Sequence, residues 1–168
     1  MEHLESQELC EEDGLSDLVQ RYADLVLRLA LTYLRNMPDA QDACQNVYIK
    51  LFKQRKEFHD TEHERAWIIR VTINTCKDMM RNRWRRRLSA IDEAVLILPI
   101  EDNESREVVS YVLALPKKYR VVIHLYYYEN YKTSEIAELL DRKESTVRSQ
   151  LKRAKELLRA RMLGGMDG

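Results

Sequence analysis

The chain has 168 residues, 28 Lys or Arg against 28 Asp or Glu, and 45% apolar residues, enough for one or two ordinary cores. Only four Gly and three Pro, among many Leu, Arg, Lys and Glu, favour a mostly helical protein. No run approaches the roughly 18 consecutive apolar residues of a membrane span, and no basic start leads into an apolar stretch, so neither direct membrane insertion nor secretion is expected and a cytoplasmic location follows.

The formal charge of zero conceals strong sorting along the chain. Residues 1–20 carry seven carboxylates and no Lys or Arg, whereas residues 81–87 (RNRWRRR) carry five Arg. Residues 142–161 carry eight Lys or Arg and two Glu. Two basic clusters on helices, with acidic segments elsewhere, are the footprint of a polyanion binder. Cys10, Cys44 and Cys76 are widely spaced without a C-x-x-C pair and read as reduced thiols. His59 and His63 lack a further Cys or His nearby, so they read as a solvated loop or helix start and no metal or other cofactor is expected.

In chain order, residues 1–13 form an acidic tail whose composition favours disorder. Leu18, Tyr22, Leu25, Leu29 and Tyr33 recur at spacings of four and three, which predicts an amphipathic helix over 15–36. Pro38 suits the first turn of a second helix, reaching about Lys53 with Ala43, Val47 and Leu51 on one face. Thr61-x-x-Glu64 has the pattern of a capping box and opens a third helix with Ile69, Ile73, Cys76 and Met80 as its buried stripe. These three helices make one small all-α domain over residues 14–87.

Residues 88–107 lose the periodicity and carry six carboxylates against one Arg, which predicts a flexible linker. Extended, 20 residues reach about 65 Å, roughly two turns of duplex DNA. A second helical domain covers 108–161, followed by a tail over 162–168. It begins with a short helix carrying Val108, Val109, Val112 and Leu113. Pro116 opens the next helix, with Tyr119, Val122, Ile123 and Tyr126 inward. Tyr126, Tyr127 and Tyr128 suggest a base-stacking platform, but helical spacing favours packing of at least one ring in the core.

Residues 133–140 then form a short helix with Ile136, Leu139 and Leu140 inward and Ala137 where a second helix crosses closely. Asp141, Arg142 and Lys143 make a turn. A longer helix from Ser145 buries Val147, Leu151, Ala154 and Leu158 and turns Arg148, Ser149, Lys152, Arg153 and Lys155 outward. This is a helix-turn-helix whose second helix suits the DNA major groove. Arg takes guanine bidentately, Gln does the same for adenine, and Lys and Ser more often hold phosphates.

Four ordered segments resemble a bacterial RNA polymerase sigma factor of the sigma-70 family, extracytoplasmic-function (ECF) group. DAQDACQNVYIKLF (39–52) is similar to the family's D-A-E-D-x-x-Q-E-x-F helix of region 2, and ERAWIIRVTINTCKD (64–78) to the region 2 helix that follows. LPKKYRVV (115–122) and STVRSQLKRAKE (145–156) are similar to region 4. The resemblance spans about residues 15–161. In the family Gly is usual where Asp141 and Ser145 stand, Pro is frequent near Lys143, a capping Ser is usual where Lys132 stands, and Glu is usual where Gln41 stands. Asp tolerates the left-handed conformation and Thr133 can cap, so the turn should survive.

The resemblance implies two small helical domains, an all-α fold, and a non-enzymatic initiation factor. It implies that Asp39, Asp42, Gln45, Asn46 and Lys50 dock on the β′ clamp helices of core RNA polymerase. The −35 promoter element would be read as duplex by Arg148, Ser149, Gln150, Lys152, Arg153 and Lys155, with region 4 also touching the β flap. The −10 element would be held as a single strand by Trp67, Arg70, Asn74, Lys77, Arg81, Arg83, Arg85 and Arg86, with residues 59–64 alongside. An anti-sigma factor is the further expected partner. Trp67 has a plainer reading as a core aromatic, and Asn74 as a helix-to-helix hydrogen bond.

Two other classes compete. A stand-alone helix-turn-helix regulator would bind duplex DNA without polymerase. An enzyme would need a clustered nucleophile and base, a Gly-rich phosphate loop or a metal set, and the sequence offers none.

Overall fold

The structure is a computed structural model that describes residues 2–54, 57–85 and 103–164, with side chains described over 14–54, 57–83 and 106–164. Every regular element among the described residues is helical, and the chain forms two compact units.

The N-terminal unit holds α1 (Glu2–Leu34) as far as Leu31, α2 (Met37–Gln54) and α3 (Thr61–Arg85), while the end of α1 from Thr32 belongs to the C-terminal unit. Helix α1 starts at Glu2 rather than near residue 15, so the acidic segment continues the helix; its side chains lie outside the described residues, as does that of Cys10. Tyr22, Leu25, Val26 and Leu29 of α1 are buried, as are Ala40, Ala43, Cys44, Val47 and Leu51 of α2. Ile68, Ile69, Ile73 and Cys76 complete the core from α3, while Met80 is half-buried. Burying an Ile or Leu side chain contributes about 1.5–3 kcal/mol, so these stripes are what hold short helices that would be marginal alone. Thr72 and Thr75 are tolerated in that core because their hydroxyls donate back to the carbonyls of Ile68 and Val71 at 2.8 and 2.7 Å. The Tyr22 hydroxyl donates to Glu64 Oε1 at 2.8 Å and Arg21 Nη1 to the same oxygen at 3.1 Å, joining α1 to the start of α3.

At the start of α3 it is Asp60 that caps, its Oδ1 accepting from the backbone N–H of His63 at 2.7 Å. The expected cap at Thr61 is thus one residue late, since Thr61 is already helical.

The C-terminal unit holds α4 (Asn103–Leu113), α5 (Lys117–Ile123), α6 (Thr133–Leu140) and α7 (Glu144–Gly164). Helix α4 opens inside the segment expected to be linker, so residues 103–107 are helical; residues 86–102 lie outside the described residues. Pro116 precedes α5 with φ −53° and ψ 143°, the extended geometry its ring permits at a helix entry. Leu115, Val121, Val122, Ile123 and Leu125 are buried between α5 and the helices that follow, together with Ile136, Ala137, Leu139, Leu140, Val147, Leu151 and Ala154.

Two features differ from helical expectation. After Ile123 the helix widens into one π turn over His124–Tyr128, closed by the Glu129 N–H donating to the His124 carbonyl at 3.1 Å. A buried pair stabilises it: His124 Nε2 lies 3.2 Å from Glu129 Oε1, and the His124 ring stacks on Tyr128 with centroids 5.3 Å apart. Tyr127 and Tyr128 are 55% and 54% exposed, and Tyr126 is partly covered. At the helix-turn-helix, Asp141 takes the left-handed conformation (φ 52°, ψ 54°), and the N–H of Arg142 reaches the Ala137 carbonyl at 2.9 Å. Asp thus fills the position at which Gly is usual, at some backbone cost.

Candidate nucleic-acid interface

In the C-terminal unit, α7 presents its basic side chains over a buried stripe of Val147, Leu151 and Ala154. Helical geometry sorts them into two edges. Arg148, Lys152 and Lys155, spaced four and three, run along one edge; Ser149, Arg153 and Glu156 run along the other, and all six are exposed. Arg153 pairs with Glu156 at 3.2 Å, and Ser149 donates to the Ser145 carbonyl at 2.9 Å. The Lys155 ammonium lies over the Tyr126 and Tyr127 rings, 5.6 and 5.5 Å from their centroids. That contact steers Lys155 toward the π turn and makes the exposed tyrosines neighbours of the basic edge.

Gln150 lies apart from both edges. It is half-buried at the flank of α7, and its Oε1 accepts from Arg142 Nη1 at 2.8 Å. The turn residue Arg142 therefore orients the amide expected to read adenine.

The start of α7 is organised by Glu144, which the expected contact set omits. Its Oε1 accepts from Thr133 Oγ1 at 2.8 Å and from Arg148 Nη2 and Nε at 2.8 and 3.2 Å. The Thr133 hydrogen bond first, then the Arg148 guanidinium, holds its carboxyl below the usual carboxylate range. Thr133 consequently does not cap α6. The N-cap position is Lys132, whose N–H donates to Glu135 Oε2 at 2.7 Å. A Glu four residues before an Arg at a helix start was the available sequence signal.

In the N-terminal unit, Trp67, Arg70, Asn74, Lys77 and Arg81 recur at spacings of three and four and share one face of α3. The stripe is about 21 Å long at about 1.5 Å per residue. Arg70, Asn74 and Arg81 are exposed, and Trp67 and Lys77 half-buried. Trp67 is not a core residue. Its ring meets Phe58 at 5.3 Å, Phe58 meets His63 at 5.7 Å, and His63 stacks on His59 at 5.9 Å, so an aromatic cluster caps the N-terminal end of a cationic track. Nor does Asn74 bridge helices: among the described residues its exposed side chain has no hydrogen-bond partner.

Arg83 leaves this stripe and ion-pairs with Asp39 at 2.6 Å. The side chain of Arg85, and all of Arg86, lie outside the described residues.

On α2, Asp42, Gln45, Asn46, Ile49 and Phe52 form an exposed strip opposite the buried face. Ile49 and Phe52 are 51% and 50% exposed, two large apolar side chains on an otherwise polar helix face. Sequence reasoning missed both, although their i, i+3 spacing with Asn46 was visible. Lys50 turns away from the strip and donates to Thr75 Oγ1 of α3 at 2.9 Å. Among the described residues no helix is long and apolar enough to cross a membrane.

Comparison with known proteins assigns a family to each unit. Residues 18–86 match the family Sigma-70 region 2, and residues 105–158 match Sigma-70, region 4. The chain is 32% identical to the ECF RNA polymerase sigma factor SigE of Mycolicibacterium smegmatis, over 85% of this chain and 59% of that protein. It is 26% identical to a probable RNA polymerase sigma factor RfaY of Xanthomonas campestris over 89% of this chain and 40% of the relative, so it spans less than two thirds of both relatives' lengths. With the ECF RNA polymerase sigma factor SigW of Bacillus subtilis it shares 26% identity across 90% of each chain. In fold it is similar to the sigma factor RpoE crystallised with the anti-sigma factor NepR from Bartonella quintana, with a TM-score of 0.76, 18% identity and coverage of 88% and 95% of the two chains. It is also similar to CnrH in complex with the cytosolic domain of CnrY, with a TM-score of 0.64 and 23% identity over 91% and 90%. With region 2 and region 4 both present, in order, on the units that carry the two basic faces, this chain belongs to the sigma-70 family of RNA polymerase sigma factors, in its ECF group.

Proposed function

We propose that the chain binds core RNA polymerase and directs transcription initiation by recognising the −35 and −10 elements of a promoter. The observation that carries this is the division of labour between two faces: a duplex-suited basic helix on a helix-turn-helix, and a separate track that runs from aromatic rings to cations. Arg148, Ser149, Gln150, Lys152, Arg153 and Lys155 serve the −35 duplex. Trp67, Arg70, Asn74, Lys77 and Arg81 serve a single-stranded −10 element, by stacking at one end and phosphate contacts at the other. Asp42, Gln45 and Asn46, with Ile49 and Phe52, dock on the β′ clamp helices, and the C-terminal unit also meets the β flap. Asp39 and Lys50 support that docking through their bonds to α3.

Energetics explain why polymerase is needed. Opening a duplex costs about 1.4 kcal/mol per base-pair step, and capture of a flipped or stacked base returns about 1–3 kcal/mol. One or two captured bases therefore do not offset a bubble of several steps. An anti-sigma factor, the kind of partner named in the complex with RpoE, is the regulator this reading implies.

The test mixes the purified chain with core polymerase on fragments of genomic DNA. Promoter-specific transcripts and co-purification with core are expected, together with no opening of linear duplex by the chain alone. Absence of both added transcription and co-purification would instead favour a stand-alone regulator.

A further inference from the structure

We propose that Glu144 is the specificity-determining positioning residue of the −35 interface: it holds the Arg148 guanidinium in a base-reading orientation and denies it to phosphates. This rests on the DNA-reading function proposed above and adds a residue outside its contact set.

Arg148 has a side chain 68% exposed at the groove-facing start of α7. Left free, a guanidinium there would populate many rotamers and settle on whichever phosphate lay nearest, which fixes position and carries no sequence information. Glu144 restricts that freedom. It grips the Nε and Nη2 side of the guanidinium, while the Thr133 hydroxyl anchors the same carboxylate oxygen to α6. The orientation of Arg148 is thus referred to the supporting helix as well as to its own.

The geometry also selects which hydrogens remain. With Nε and one Nη2 hydrogen engaged, the outward end of the guanidinium, Nη1 and the second Nη2 hydrogen, is left to donate. Two parallel donors at that end match the O6 and N7 acceptors of guanine. The carboxylate meanwhile repels a phosphate that approaches the same side. It also stands in the first turn of α7, where the helix dipole favours negative charge. Glu144 therefore weakens indiscriminate attraction and preserves base readout.

The experiment uses the full chain assembled with core polymerase and a random duplex library, comparing wild type with Glu144→Gln, Glu144→Ala, Thr133→Val and Arg148→Ala. Wild type should select a −35 sequence, and Arg148→Ala should lose preference at one base pair. Glu144→Gln should lose preference at that same base pair by about tenfold, within the range one bidentate base contact carries. It should also bind scrambled duplex more tightly, with a salt dependence steeper by about one neutralised phosphate. Thr133→Val should show a smaller loss at the same base pair without the change in salt slope. Unchanged discrimination in Glu144→Gln would overturn the proposal. So would equal weakening of Glu144→Ala on every sequence with a lowered melting temperature, because Glu144 would then be structural only. If the wild-type assembly selects no sequence at all, the DNA-reading function itself falls, and this inference with it.

Discussion

Arg83 Nη1 stands 2.6 Å from Asp39 Oδ2, so the C-terminal end of the helix expected to hold the −10 strand is tied to the first turn of the helix expected to hold polymerase. The side chains are 43% and 31% exposed, in the range where an ion pair contributes about 0–1 kcal/mol. In urea unfolding, a double-mutant cycle of Asp39→Asn and Arg83→Ala should give a coupling below about 1 kcal/mol. A coupling well above that would mean the pair is shielded from solvent in solution.

Arg83 also separates from the other cations of α3 in a second measurement. Replacing Arg70 or Lys77 by Ala should lower the magnitude of the salt slope for single-stranded −10 DNA, read on the polymerase complex, by about 0.7 for each phosphate no longer neutralised. Arg83→Ala should leave that slope nearly unchanged, and Asn74→Ala should alter sequence preference without altering the slope. A slope change from Arg83 equal to that from Arg70 would contradict the stripe.

Ile136 is fully buried where α6 meets α7. Ile136→Ala removes several buried carbons from this core and should destabilise the C-terminal unit by about 2–5 kcal/mol. Denaturant titration followed by circular dichroism reads this directly. A cost below about 1 kcal/mol would mean the helix-turn-helix core collapses around the gap.

Asp141, at φ 52°, should accept Gly without loss of stability, because Gly adopts the left-handed region freely. Asp141→Val places a β-branched residue there and should cost about 1–2 kcal/mol. Thermal melts of the two variants check the order; a Val variant as stable as Gly would mean the turn changes conformation.

Cys44 and Cys76 are both buried, and burial pushes their thiols up from 9.0 to about 11 and about 12. Because the folded chain keeps protons that the unfolded chain releases, their contribution to stability is whole below pH 9. It declines as pH rises from there toward 11 and 12. Iodoacetamide at pH 8 should therefore leave both residues unlabelled in the folded protein and label both in urea, with mass spectrometry locating the adducts. Rapid native labelling of Cys76 would show local opening of α3.

Helices with a one-sided apolar pattern were legible from the chain alone. Ile136, Leu139 and Leu140, and then Val147, Leu151 and Ala154, mark buried stripes because helical periodicity translates spacing into a face whatever the partner is. The same rule laid Trp67, Arg70, Asn74, Lys77 and Arg81 on one side of α3. Charge sorting and the four family-like segments were likewise local properties of the chain.

Pairings between helices, and the places where backbone departs from regular geometry, came only with packing. Spacing cannot tell that Arg83 meets Asp39, that Lys50 turns to Thr75, or that Thr133 spends its hydroxyl on Glu144 instead of capping α6. Each depends on which helix lies alongside. The tyrosines illustrate the second case: the 3.6-residue period set Tyr126 inward, but the π turn beneath them and its buried His124–Glu129 pair came only with packing. For the helix-turn-helix, periodicity therefore identified the basic face of α7, while contacts across the turn decided how Arg148 and Gln150 are held on it. The physical reason is range: a periodic stripe is set within a few residues, whereas a carboxylate shared between two helices exists only once they have packed.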